Sequence, residues 1–153
     1  MILTVDFKDE QDIIDVRLAM KSIVRKAIFN TLVYEGFDQD VEVSVTFTDN
    51  EQIRELNKQY RQKDSATDVL SFPMFEDITD TMDINPLPLG DIVISLERAS
   101  VQGHHLFHSI YREVAFLTVH STLHLLGYDH ETSEEDEADM FRRQKEIMEI
   151  IGF

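Results

Sequence analysis

The chain has 153 residues, no cysteine, 30 acidic against 14 basic side chains and a formal net charge of −16. That length suits one domain, here 1–153, around a single core, and the missing cysteines exclude disulfides and thiolate metal sites. The acidity opposes general nucleic-acid binding, because phosphate affinity comes mainly from Lys and Arg, and apolar runs as short as Val114–Leu117 exclude a membrane span.

Ile2 to Phe7 alternates apolar and polar residues and predicts a strand. The segment Met1–Lys8 has neither the basic start nor the long apolar run of a secretory signal, so a cytoplasmic protein is expected. From Asp12 to about Tyr34, Ile13, Val16, Leu18, Met20, Ile23, Val24, Ala27, Ile28 and Leu32 recur at helical spacing, which predicts a long amphipathic helix ended near Gly36. Val41 to Phe47 alternates again. Asp49 can cap a helix to about Tyr60 that turns Ile53 and Leu56 inward.

Val69–Phe72 and Ile92–Leu96 predict two short strands, separated by a long loop over Pro73–Gly90. Asp68 and Asp91, each read at a strand end, are assigned to turn capping. Ser95 or Glu97 starts a helix toward His108, and Ser109 caps the next one. Ser133 with Asp136 reads as a capping box for a final helix that buries Met140, Phe141, Ile147 and Ile151, with Met148 as core. The expected architecture is mixed α/β (α+β): a small mixed sheet of about four strands packed with about five helices. Acidic runs at Glu76–Asp83 and Glu131–Asp139 read as solvated faces, while Arg54, Lys58, Arg61 and Lys63 form one basic cluster and Lys21, Arg25 and Lys26 another.

The chemistry concentrates in the C-terminal third. His120 and His124 are four apart, so a helix projects both from one face, about 6 Å apart along its axis. Gly127 permits a tight exit that returns His130 to the same point. Three imidazoles favour zinc, although iron, nickel or copper also fit, and three protein ligands leave a fourth position open, as in catalytic zinc sites. Asp129 is placed to orient a ligand ring. His104, His105 and His108 read as loop and helix-end residues.

The pattern also matches His-Glu-x-x-His-x-x-Gly-x-x-His of metzincin proteases, except that the residue after the first histidine is Ser121. Serine cannot serve as the general base there, which disfavours peptidase chemistry.

His-Ser-Thr-Leu-His-Leu-Leu-Gly-Tyr-Asp-His at 120–130 resembles the signature of the YbeY family, metal-dependent endoribonucleases implicated in bacterial ribosomal RNA maturation. Tyr60-Arg61, Thr67-Asp68-Val69-Leu70-Ser71-Phe72-Pro73 and Leu89-Gly90-Asp91-Ile92 resemble its other characteristic stretches, in order. The family usually has Gly where this chain has Ser121, which raises the question of how a substrate approaches there.

The resemblance implies cleavage of single-stranded RNA near the 3′ end of small-subunit ribosomal RNA, with one Zn²⁺ per chain on the three histidines. It also implies a role in ribosome quality control, alongside ribosome or assembly-factor proteins, and functional importance for Arg61. A zinc ion lowers the pKa of bound water from about 15.7 toward 7 and polarises a phosphoryl oxygen, while Arg61 supplies a cationic fork for the developing charge. Lys58 and Lys63 are candidates for substrate binding. The rival classes are a ribosome-assembly or RNA-binding factor with a purely structural metal, and a metal hydrolase of another substrate. Oligomeric state is not fixed by the sequence.

Overall fold

The computed structural model describes residues 1–153. In chain order the elements are β1 (Leu3–Asp9), α1 (Leu18–Tyr34), β2 (Val41–Thr48), α2 (Asn50–Arg61), β3 (Val69–Pro73), β4 (Leu87–Ser95), α3 (Leu96–His105), α4 (Ile110–Leu125) and α5 (Glu134–Ile151). The sheet order is β1-β2-β4-β3, with β1, β2 and β4 parallel and β3 antiparallel to β4. The expected mixed sheet and five helices are therefore present.

Alternation along the strands assigns the two faces. Ile92 and Ile94 of β4 join Val43, Val45 and Phe47 in the main core, which α1 and α4 cover with Val24, Ile28, Leu32, Val114 and Leu117. Val93 points the other way and packs with Leu70 and Ile53 beneath α2. Helix α5 closes the far side of α4 through Met140, Ile147, Met148 and Ile151 against Ala115, Val119 and Leu123. Helix α4 is thus surrounded by sheet and helices.

Several expectations need correction. The first helix begins at Leu18, not Asp12, because the Gln11 side chain bonds the backbone of Ile13 (3.0 Å) and Ile14 (2.9 and 2.8 Å) and holds a non-helical turn. Strand β4 begins at Leu87, inside the segment expected to be loop, because a register shift between Glu42 and Val43 accommodates Pro88 within the ladder. The rest of that loop contains a short 3-10 turn, Ile78–Thr81. Asp91 consequently lies within β4, opposite Ser44 and Phe72, rather than at a strand end.

Ser133 accepts from Asp136 N at 3.0 Å, but the Asp136 carboxylate bonds the Thr132 hydroxyl instead of returning to the cap, so the box is half formed. Phe141, assigned to the core, is 55% exposed: α5 buries the stripe carrying Met140, Gln144, Ile147 and Ile151, and Phe141 falls beside it.

Gly90 sets how closely α4 approaches the sheet. Its φ is +150°, and a Cβ there would meet the Phe72 carbonyl oxygen at 2.4 Å and Leu125 Cδ2 at 2.9 Å. One helical turn back, fully buried Ser121 bonds Ser71 of β3, Oγ to Oγ at 2.5 Å. Ser121 therefore faces the sheet and pins the helix to β3. Replacing it with glycine removes this bond, leaves Ser71 unpaired and adds a helix-propensity cost, together about 2 kcal/mol. Ser121→Gly should lower the melting temperature by about 4–8 °C, whereas the paired change Ser71→Ala with Ser121→Ala should stay near wild type. Equal losses in both proteins would show that the hydroxyl pair contributes nothing.

Candidate metal centre

Helix α4 starts at the Ser109 cap, whose hydroxyl accepts from Arg112 N, and delivers His120 and His124 on successive turns at its C-terminal end. The exit is sharp: Tyr128 N reaches back to Leu123 O at 3.1 Å, and Gly127 takes a φ of +103°. The next residues are tied down. Tyr128 donates to Glu35 at 2.9 Å, Arg143 of α5 donates to both Glu35 oxygens at 3.0 Å, and the Arg143 guanidinium lies 4.7 Å from the Tyr128 ring centre. Burial and the Glu35 carboxylate push the Tyr128 hydroxyl up to about 12, so it remains a donor at any ordinary pH. Asp129 accepts from Glu131 N at 2.8 Å and closes the turn that presents His130.

The three histidines expected to meet do meet. One ring nitrogen from each of His120, His124 and His130 lies within 4.8 Å of the others. The Nε2 atoms of His120 and His124 are 3.1 Å apart, close to the separation of about 3.3 Å for two ligands on a tetrahedral zinc with bonds of about 2.0–2.1 Å. Gln144 Oε1 lies 2.6 Å from His120 Nδ1, which places the proton on Nδ1 and leaves the Nε2 lone pair facing the cluster. His130 Nδ1 is buried without a hydrogen-bond partner. Converging lone pairs and an orphaned buried nitrogen are what a metal ion would satisfy, so the residues fit the ion that the motif implies.

Electrostatics agree. Burial, then the neighbouring His120 and His130, lower His124 from 6.5 to about 4. Burial also lowers His120, opposed by its bond to Gln144. Both rings are therefore neutral at pH 7, the form in which an imidazole can bind a metal.

The cluster forms the floor of a polar cavity of about 620 Å³ whose wall includes Arg61, Lys63, Asp68, Ser71 and Asp129. Arg61 ends α2, and Lys63 follows the left-handed Gln62. Neither forms an ion pair, in contrast to Arg54, which is held by Asp64 at 2.7 Å. Lys58 lies outside that wall, exposed on α2 within electrostatic reach of Asp64. Asp68 does cap its strand, accepting from Val69 N at 2.8 Å, but it also lines the cleft and accepts from Gln102 at 3.3 Å. Asp129 makes no hydrogen bond to a histidine ring. Gln144 does, and no metal-motif spacing flags it, because it arrives from α5, 24 residues after His120.

Two measurements probe this centre. Gln144→Leu keeps the side-chain bulk but removes the acceptor that orients His120, and zinc affinity measured against a competing chelator should fall about 10- to 100-fold, with the fold intact. An unchanged affinity would exclude an orienting role. For His124, the folded value lies below the unfolded one, so between about 6.5 and 4 the unfolded chain binds more protons and stability declines as pH falls. After discounting for partial exposure, the metal-free protein should lose about 1–2 kcal/mol more than His124→Gln between pH 7.5 and 4.5 in urea titrations. Parallel losses in both proteins would remove the argument.

Residues 5–152 match the family model described as Endoribonuclease YbeY. Proteins named Endoribonuclease YbeY from Bacillus cereus (strain G9842) and Bacillus mycoides (strain KBAB4) are each 47% identical to this chain over 156 aligned positions, covering 99% of it and 98% of their own length. The solution structure of a Thermotoga maritima protein aligns over 95% of this chain and 87% of its own, with 27% identity and a TM-score of 0.63. Sequence likeness from end to end, together with the assembled three-histidine cleft, establishes that the chain belongs to the YbeY endoribonuclease family.

Proposed function

We infer that the chain is an endoribonuclease of ribosomal RNA processing that uses one zinc ion on His120, His124 and His130 and Arg61 as its catalytic cation. The supporting observation is that an arginine and a lysine free of ion pairs share one cleft with the three histidines. Zinc is favoured by the donor set, three neutral imidazoles with no thiolate. When bound, such an ion polarises a phosphoryl oxygen and acidifies a coordinated water.

The chain's own residues supply the rest. Arg61 offers a planar fork to the nonbridging oxygens on which charge grows during phosphodiester cleavage, and Lys63 adds a second cation on the same wall. Lys58, farther back on α2, extends the approach for the RNA backbone. Gln144 orients His120, and Asp129 acts on His130 through the turn it closes. Position 121 contributes no base, since its hydroxyl is buried against Ser71, which agrees with the poor match to proteases.

The cleft suits single-stranded RNA, such as that near the 3′ end of small-subunit ribosomal RNA. With a net charge of −16, the protein is proposed to reach it alongside ribosome or assembly-factor proteins, and a cytoplasmic role in ribosome quality control is part of the same reading. No helix is long and apolar enough to cross a membrane.

Purified identically, His124→Ala should lose both zinc and cleavage of single-stranded ribosomal RNA. Arg61→Ala should retain zinc and lose about 10²–10³-fold in cleavage rate, the usual effect of removing one donor to a developing oxyanion. Normal cutting by Arg61→Ala would remove that residue from the mechanism. Zinc-loaded wild type that never cuts RNA would favour the non-catalytic assembly factor instead.

A further inference from the structure

Two cavities of opposite character meet at the histidine cluster and share His120, His130 and Asp68. The larger carries Arg61 and Lys63. The smaller, about 190 Å³, is walled by Phe116, Leu117, Met140 and Phe141 and edged by the carboxylates of Asp68 and Glu137. No Lys or Arg lines it. A phosphate there would meet two negative charges and no positive one, whereas a flat neutral ring would meet apolar walls, two carboxylate acceptors and the Gln144 amide.

The walls are suited to a ring. Phe141 is 55% exposed on the helix that otherwise buries its large apolar residues in this region, so its face is free. Phe116 lies near-parallel to His120, with centroids 6.4 Å apart, so the aromatic wall begins at a metal ligand. A cavity of about 150 Å³ is known to hold benzene, so this one takes a single nucleobase and a pyrimidine most closely.

The edge is rigid. Asp68 accepts from Val69 N and from Gln102, Gln102 also donates to Glu113 at 2.9 Å, and Glu113, 3% exposed, is bonded to His108 at 2.7 Å. This chain of half-buried side chains, anchored on buried Glu113, holds one carboxylate oriented in the cavity wall.

We propose that the small cavity is a nucleobase subsite: with the scissile phosphate between the histidines and Arg61, the adjacent base of single-stranded RNA turns out of its stack onto Phe141 and Phe116. The inference rests on the endoribonuclease reading. Single-strand recognition commonly uses unstacked bases laid on aromatic side chains. Asp68 and Glu137 only accept, while the Gln144 amide, whose oxygen faces His120, adds a donor to the same wall; two acceptors and one donor match the two N4 protons and the N3 lone pair of cytosine, whereas uracil has only its N3–H to offer two carboxylates.

The test uses the full zinc-loaded chain and single-stranded hexacytidine and hexauridine with 2′-O-methyl sugars, read by binding, with cleavage-site mapping on unmodified RNA beside it. Wild type should bind the cytidine oligomer about ten-fold more tightly. Phe141→Ala, an exposed position, should weaken that binding by about 5- to 100-fold with zinc content unchanged. Glu137→Gln, whose amide can donate to O4, should erase or invert the cytidine-to-uridine ratio. Phe141→Ala binding like wild type, or an unaltered ratio in Glu137→Gln, overturns the subsite while cleavage by wild type leaves the endoribonuclease reading intact. Failure of wild type to bind or cut any of these RNAs removes both.

Discussion

Everything in this structure depends on a helix that must be core and platform at once. Helix α4 is buried against the sheet, α1, α3 and α5 along most of its length, yet its last turns have to hold imidazoles at a solvent-filled cleft. Burial of that kind normally demands apolar residues all round. Here the polar ones are neutralised individually. Thr118 and Thr122 donate to carbonyls one turn back, at 2.7 Å each, Ser121 bonds across to β3, and Glu113 is occupied by His108 and Gln102. With those groups satisfied, the helix is fixed in rotation about its axis, and the direction of His120 and His124 follows.

The third histidine is a separate problem, because it belongs to a loop. Loop side chains are precise only when something else holds the backbone. Gly127 reverses the chain, but the reversal alone fixes little. The Tyr128, Glu35 and Arg143 contacts tie the loop to the end of α1 and to α5, so three helices determine where His130 stands. Helix α5 takes part twice, since Gln144, one residue after Arg143, fixes the proton on His120. Metal affinity in such a design is a property of the helix packing as much as of the ligands.

What could be read in the sequence divides along the same line. Local chemistry was legible: the strand alternation at 41–47, the caps at Asp49, Ser95 and Ser109, and the spacing of His120, His124 and His130 each depend on neighbours a few residues away. The errors arose where a distant partner overrode a local pattern. Apolar residues at 13 and 16 continue the helical period, but the Gln11 side chain offers their backbone another solution. Pro88 and Gly90 read as loop, yet a bulge against β2 and a close approach by Phe72 make them strand. Phe141 fits the apolar count of α5 and misses its buried stripe by the angle of a single residue. Gln144 carries no signature at all, because its role exists only once α5 lies on α4.

Charge is the remaining tension, since an acidic protein handles a polyanion. At physiological ionic strength the field of exposed charges decays over about 8 Å, so the surface as a whole matters less than what stands within reach of each phosphate. The cleft has few free cations, so binding rests on few neutralised phosphates and sheds few counterions. The acidic run Glu134–Glu137 occupies the first turn of α5, where the helix dipole favours it, and Glu131 and Glu137 reach the walls of the two cavities. A duplex approaching this rim would bring a second phosphate strand against those carboxylates. A single strand can keep its one backbone on the Arg61 side and turn its bases the other way. With the backbone placed on the Arg61 side as proposed, the acidity that seemed to argue against a nucleic-acid enzyme would act as a filter on which form of RNA can lie in the cleft.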